Sequence, residues 1–252
     1  GRAGGIFPAI VGTLYLVAGA IGLALPVGIA AAIYLVEYTR EGRFVRIIRT
    51  GVDLLNGTPS IVFGLFGFAF LVLYLNFGVS LLAGQITLGL MVLPTIIRTT
   101  EEALKCVPQG LREGSLALGA TRWQTTSRVV VPSAFSGITA AVILGIGRAI
   151  GETMAVLMVT GNAAIIPSPL WNVFSPIRTL TGTLGIEVGA VASGSPHYHA
   201  LFGVAFLLLV ITLVVNLMAT AVILNWSLTP SRRPIPRKVS RSVPRDFQYS
   251  LR

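Results

Sequence analysis

Long apolar runs alternate along this chain with short basic connections. Phe7 to Val36, Leu81 to Ile97, Ser133 to Ala163 and His199 to Trp226 reach or approach the roughly 20 apolar residues that cross a bilayer as a helix. Ser60 to Leu75 is a fifth, shorter candidate. Backbone groups inside lipid must be satisfied within the segment, so these runs predict helices rather than open strands. Pro26 predicts a kink in the first run, and the third continues as helix past the membrane. The first run is too long for a signal peptide, and no small-residue cleavage site follows it. The chain begins at Gly1 rather than Met, so an upstream portion is expected.

Composition agrees with this pattern. Of 252 residues, 54% are hydrophobic and 11% charged, against about 25% charged in a soluble domain. The reading is an all-α integral membrane protein, with one transmembrane domain over residues 1–228 and a basic tail over 229–252. The net charge of +10 does not form a nucleic-acid stripe, because the cations sit between the apolar runs. Arg40, Arg43, Arg46 and Arg49 follow the first run, and Lys105, Arg112, Arg122 and Arg128 lie between the third and fourth. A further group, from Arg232 to Arg252, follows the last run, whereas the opposite side carries Arg2 and Arg178. The excess of Lys and Arg belongs in the cytoplasm, which places the N-terminus of this chain outside and the tail inside. Arg40 to Leu55 mixes cations with Phe44, Val45, Ile47 and Ile48, the pattern of an amphipathic helix lying along the inner interface. The tail interleaves its cations with prolines and suits contact with anionic lipid. The long connection from Ile165 to Tyr198 either dips into the membrane or caps an outer mouth.

Two charges interrupt the fourth run near its midpoint, in Gly147-Arg148-Ala149-Ile150-Gly151-Glu152-Thr153. An arginine at this depth costs about 2.5–3.5 kcal/mol on insertion scales, so it faces a partner or a watery path rather than lipid. In a continuous helix Arg148 and Glu152 share a face. Two readings follow: a structural ion pair, or an anion path in which Arg148 offers its donor fork to an oxyanion. Glu152 would then hold that fork or accept from a protonated hydroxyl, and Thr153 would add its own hydroxyl. Arg98, late in the third run, is either a second anion contact or a side chain snorkelling to the interface. Glu101 and Glu102 are expected as solvated or partner-facing charges at the helix end.

Other chemistry is excluded. No Gly-x4-Gly-Lys-Ser/Thr loop occurs, so ATP hydrolysis would fall to a partner. The lone Cys106 rules out an internal disulfide. His197-x-His199 without further ligands is not a metal site, and no nucleophile–base constellation marks an enzyme.

The connection 106–132 is the best-marked loop. Pro108 is placed to open a helix, Gly119 to end it in a left-handed conformation, and Thr121 with Gln124 to cap a second one. Leu116, Leu118 and Trp123 would project as apolar knobs beside Arg112 and Glu113. The pattern Glu113-x5-Gly119-x9-Val129-x-Val131-Pro132 resembles the EAA loop of ABC importer permeases. Gly114 and Ser115 stand where that family has two alanines. The resemblance implies a type I importer transmembrane domain whose loop, through Glu113, Leu116, Ala117, Leu118, Gly119 and Trp123, docks on a cytoplasmic ATPase.

More of the chain is similar to one branch, the phosphate importer permeases of the PstA/PstC type. The segments are Gly57-Thr58-Pro59-Ser60-Ile61-Val62-Phe63-Gly64-Leu65-Phe66-Gly67, Leu93-Pro94-Thr95-Ile96-Ile97-Arg98-Thr99-Thr100-Glu101-Glu102, Leu116 to Trp123, and Gly147 to Thr153. The first two look more like PstA. The stretch through Gly161-Asn162 and Ser175-Pro176-Ile177-Arg178-Thr179 looks more like PstC, and PstA is favoured overall. The resemblance implies an inner-membrane transport subunit of a prokaryote. It would pair with a second homologous permease, two copies of an ATPase that uses ATP and Mg, and an extracytoplasmic phosphate-binding protein. It implies no cofactor on this chain, and one further span ahead of Gly1. A permease for molybdate, sulfate or phosphonate, or an ATP-independent channel or secondary transporter, stays open as an alternative.

Overall fold

A computed structural model describes residues 5–40, 42–169 and 171–227; the basic tail expected over 229–252 lies outside them. The described residues are helical, in the order α1 (Phe7–Ile33), α2 (Arg43–Gly57), α3 (Ser60–Gly67), α4 (Leu81–Lys105), α5 (Gln109–Ala117), α6 (Arg122–Thr125), α7 (Val131–Ser133), α8 (Phe135–Gly151), α9 (Met154–Thr160), α10 (Leu180–Glu187) and α11 (Pro196–Ser227). Wider π-type turns extend α1 through Tyr34–Tyr38 and α3 through Phe68–Tyr74, and join α6 to α7 through Thr126–Val130. α1 continues through Pro26 without ending there.

Length and apolarity qualify Phe7–Tyr38, Leu81–Lys105 and Pro196–Met218 as membrane spans, and up to five spans if each of two bent helix pairs counts as one. One pair is Arg43–Gly57 with Ser60–Tyr74, bent by 99°. α2 therefore turns sideways to α3, as an interfacial helix does. Val45 is its one buried side chain, and Phe44, Ile47 and Leu54 are exposed.

The fourth apolar run is not one helix. Its start is bent by 67° from the preceding segment Arg122–Ser133, and it stops at Glu152, whose backbone is extended (φ −73°, ψ 128°). Apolar character hid these breaks, although Pro132 stands just before the first and Gly151 at the second. Glu152 instead opens α9, its Oε1 accepting from the Ala155 N–H at 3.2 Å. That bond satisfies one of the unpaired donors of a helix start.

α4 lies at the centre, against α1 and α8. Leu88, Met91, Val92 and Ile96 of α4 pack with Leu16 and Ala20 of α1 and with Ala149 and Ile150 of α8. Gly145 lets α8 come close to α4, since a Cβ there would press on Val92 and Ile96. A second core, with Leu35, Val45, Ile97, Leu104, Val130 and Ile138, joins the other end of α1 and α4 to α2 and the turn before α8. The connection 165–198 closes over the opposite end of the bundle. Its carbonyls at Ser175 and Val173 accept from Leu81 and Leu82 at the start of α4, at 2.9 and 2.8 Å. The Leu180 N–H donates to Thr13 Oγ1 of α1 at 3.0 Å.

Gly12 marks how closely α1 meets this connection: an added Cβ would collide with the carbonyl oxygen of Arg178, whereas Gly22 has nothing within 4 Å. Gly12→Ala should therefore destabilise the protein by about 1–3 kcal/mol, the cost of overpacking, and Gly22→Ala should not. Thermal unfolding midpoints of the two variants in detergent check the difference.

Candidate anion site and coupling loop

Arg148 sits in the last turn of α8, half-buried. Its Nη1 donates to Asn56 Oδ1 at 2.9 Å and to Thr95 Oγ1 at 2.7 Å. Thr95 Oγ1 in turn donates to Asn56 Oδ1 at 2.8 Å. Three elements thus meet at one guanidinium: the end of α2, the middle of α4 and the end of α8. Position 148 is held there by the α8–α4 packing, and Asn56 is delivered by the corner between α2 and α3.

This corrects the expected pairing of Arg148 with Glu152. The helix ends between them, and the Glu152 carboxylate is occupied at the start of α9. Thr153 lies at the same break, with its hydroxyl 3.5 Å from the Gly151 carbonyl. The structure therefore brings neither residue into the Arg148 cluster. It supplies Asn56 and Thr95 instead, both neutral, so the positive charge of Arg148 has no carboxylate partner among the described residues. Sequence reasoning overlooked Asn56 and Thr95 as partners. Both stand inside the quoted similar segments or beside them, but only tertiary contact joins them to residue 148.

Arg98 lies one turn further along α4, among carboxylates. It is 3.4 Å from Asp53, 3.7 Å from Glu101 and 3.7 Å from Glu102. Glu101 corrects a further expectation. It is only 1% exposed and is surrounded by Arg49 at 3.4 Å, Lys105 at 3.5 Å and Arg98. A buried charge is tolerable only when paired, and here the pairing fastens the amphipathic α2 to α4. Glu102 is exposed, as expected.

The loop between α4 and α8 follows the local signals closely. Pro108 precedes α5, and α5 ends before Gly119, whose φ is +85°. Thr121 and Gln124 form the reciprocal capping box of α6: the Gln124 N–H reaches Thr121 Oγ1 at 3.3 Å, and the Thr121 N–H reaches Gln124 Oε1 at 2.9 Å. Leu118 is 91% exposed and Trp123 68%. Leu116, Glu113 and Ala117 also face outward. Arg112 turns inward: its Nη2 meets Glu37 Oε1 at 2.9 Å and the Leu104 carbonyl at 2.8 Å, and its Nη1 meets the Val107 carbonyl. Through these bonds α5 is pinned to the ends of both α1 and α4.

His197, the first residue of the His-x-His pair, lies 2.9 Å from Glu187, which also meets Arg178 at 3.1 Å. No group of three metal-ligating side chains occurs among the described residues.

A bundle of apolar helices, with a half-buried charge met by neutral partners and an exposed helical loop at its basic end, fits a membrane transport subunit. The chain belongs to the family of binding-protein-dependent transport system inner membrane components, whose model it matches over residues 24–225. It is 37% identical over 222 residues to the phosphate transport system permease protein PstA 1 of Mycobacterium tuberculosis, covering 87% of this chain and 71% of that one. It is 34% identical over 252 residues to the phosphate transport system permease protein PstC 1 of Mycobacterium bovis, covering 89% and 74%. A solved structure of the MetNI methionine ABC transporter in an inward-facing conformation superposes with a TM-score of 0.72, at 20% identity, covering 88% of this chain and 95% of that one. The fold is that of an ABC importer transmembrane domain, as the EAA-like loop implied.

Arg112 and Glu37 are 15% and 10% exposed, so removing the cation leaves a sheltered carboxylate and two carbonyls without their donor. Arg112→Ala should cost about 3 kcal/mol and raise the rate of proteolytic cleavage within 106–132. Cleavage at the wild-type rate would show that the loop is held by other contacts.

Proposed function

We propose that this chain is one permease subunit of an ATP-driven phosphate importer, forming with a second homologous permease the path for inorganic phosphate into the cytoplasm. One observation carries the reading: the charge of Arg148, inside an apolar helix bundle, is met by Asn56 and Thr95 rather than by a carboxylate. A cation left uncompensated at that depth is expensive for a structural element and useful to an anion path. The names printed for the PstA and PstC relatives supply phosphate as the anion.

In this reading Arg148 is the anion contact of the path. Arg98 was the other candidate, but its neighbouring carboxylates balance its charge, so it serves to hold α2 to α4. Glu152 and Thr153 act by shaping the break between α8 and α9. The basic connections and the tail face the cytoplasm. Leu116, Ala117, Leu118 and Trp123, with Glu113 and the turn at Gly119, meet a dimeric ATPase that supplies the energy from ATP and Mg. An extracytoplasmic phosphate-binding protein delivers the anion to the end covered by residues 165–198. The chain itself holds no cofactor and carries no catalytic site.

Radiolabelled phosphate uptake by cells carrying the complete importer tests this reading, with sulfate and molybdate as competitors. Arg148→Gln should lower uptake at least about 100-fold, as loss of a charge-assisted contact to the transported anion would, while complex yield is unchanged. Uptake at the wild-type rate would remove Arg148 from the path. Gly119→Asp places a side chain at φ +85°, at a cost of about 1–2 kcal/mol, and adds a charge to the docking surface. Co-purification of the ATPase should fall, and undiminished co-purification with normal uptake would remove the loop from docking.

A further inference from the structure

Hydrogen-bond accounting at Arg148 fixes the orientation of its partners. A guanidinium has only donors, so the Asn56 atom 2.9 Å from Nη1 is the side-chain oxygen, and the amide nitrogen points away. Thr95 Oγ1 accepts from the same Nη1, so its own hydrogen goes to Asn56 Oδ1. Both lone pairs of that oxygen are then engaged. What the cluster still offers is donors: Nδ2 of Asn56 and Nε and Nη2 of Arg148 have no partner among the described residues. Asn56 is exposed and Thr95 and Arg148 half-buried, so these donors are within reach of a ligand. One turn earlier on α2, the Asp53 carboxylate is held 3.4 Å from Arg98 Nε.

We infer that Asn56, locked by Thr95, is a second anion-contacting residue, and that with Arg148 it makes a cradle for tetrahedral oxyanions that presents donors in place of a hydrogen-bond-accepting carboxylate. The inference rests on the reading of Arg148 as the path's anion contact. Thr95 is a positioning residue: it takes up the second lone pair of Asn56 Oδ1 and so keeps Nδ2 turned outward. Such a cradle selects for negative charge and acceptor oxygens. It makes no use of the hydroxyl protons that distinguish phosphate from sulfate, so it passes monobasic and dibasic phosphate alike. Discrimination between the two anions falls to the protein that delivers them.

The test uses the complete importer in cells that lack other phosphate uptake, with radiolabelled phosphate supplied at about pH 8, where the dianion prevails, and at about pH 6, where the monoanion is abundant. Asn56→Asp keeps the shape but exchanges the two amide donors for an acceptor. Its maximal uptake should fall at least about tenfold at the higher pH, through loss of donors to a charged ligand, and clearly less at the lower pH, where the monoanion has a second hydroxyl to donate and one negative charge fewer to repel the new carboxylate. Thr95→Val should reduce uptake by about threefold at both, and Thr95→Ser, which restores the hydroxyl, should return most of it. Complex yield is measured alongside each. Asn56→Asp with normal uptake, or with the same fractional loss at both pH values, overturns the inference. If the unaltered importer moves sulfate rather than phosphate, the substrate reading fails instead, and the two failures are distinct.

Discussion

The geometry of this subunit turns on one guanidinium and the three bonds around it. An arginine half-buried in an apolar bundle needs partners, and the usual one is a carboxylate on a neighbouring helix. Here the partners are an amide oxygen and a hydroxyl, Asn56 and Thr95, which hydrogen-bond each other as well as Arg148. Hydrogen bonds to neutral groups satisfy the geometry of the guanidinium without cancelling its charge. Because the partners come from the ends of α2 and the middle of α4, the same bonds fix the corner where α2 turns into α3 against the end of α8. The packing of α4 on α1 and α8 holds that arrangement from behind.

At the basic end the few carboxylates of the chain are used differently. Glu101 is buried among Arg49, Arg98 and Lys105, and Glu37 holds Arg112. Each joins a peripheral helix to a spanning one: α2 to α4 in the first case, α5 to α1 in the second. Arg112 thereby ties α5 to the C-terminal end of α1 through Glu37, and to α4 through the Leu104 carbonyl. Charges that are compensated serve to build the subunit, whereas the charge of Arg148 has no carboxylate partner among the described residues.

The parts of this molecule that short-range rules control were legible from the chain. Pro108, Gly119 and the Thr121–Gln124 box act over three or four residues, and each appears where the residue types place it. The amphipathic α2 and the long apolar helices follow from periodicity and length in the same way. The break at Glu152 was not legible, because one glycine, Gly151, in an apolar run does not by itself mark a stop, and the capping bond of Glu152 appears only in the fold. Nor was the burial of Glu101, which depends on cations brought from α2. The partner of Arg148 was misassigned for a related reason. A spacing of four pairs residues only while the helix lasts, and the true partners are 53 and 92 positions away.

If the anion passes at the uncompensated charge of Arg148, a bound oxyanion should be found beside that side chain. Arsenate is a tetrahedral oxyanion whose arsenic atom can be located by its anomalous scattering. Crystals of the complete importer, loaded with arsenate and diffracted at the arsenic absorption edge, test this directly. The account predicts an anomalous peak within hydrogen-bonding reach, about 4 Å from arsenic to nitrogen, of Arg148 Nη2 and Asn56 Nδ2. Arsenate found in the path with these two side chains still turned only to each other would contradict it.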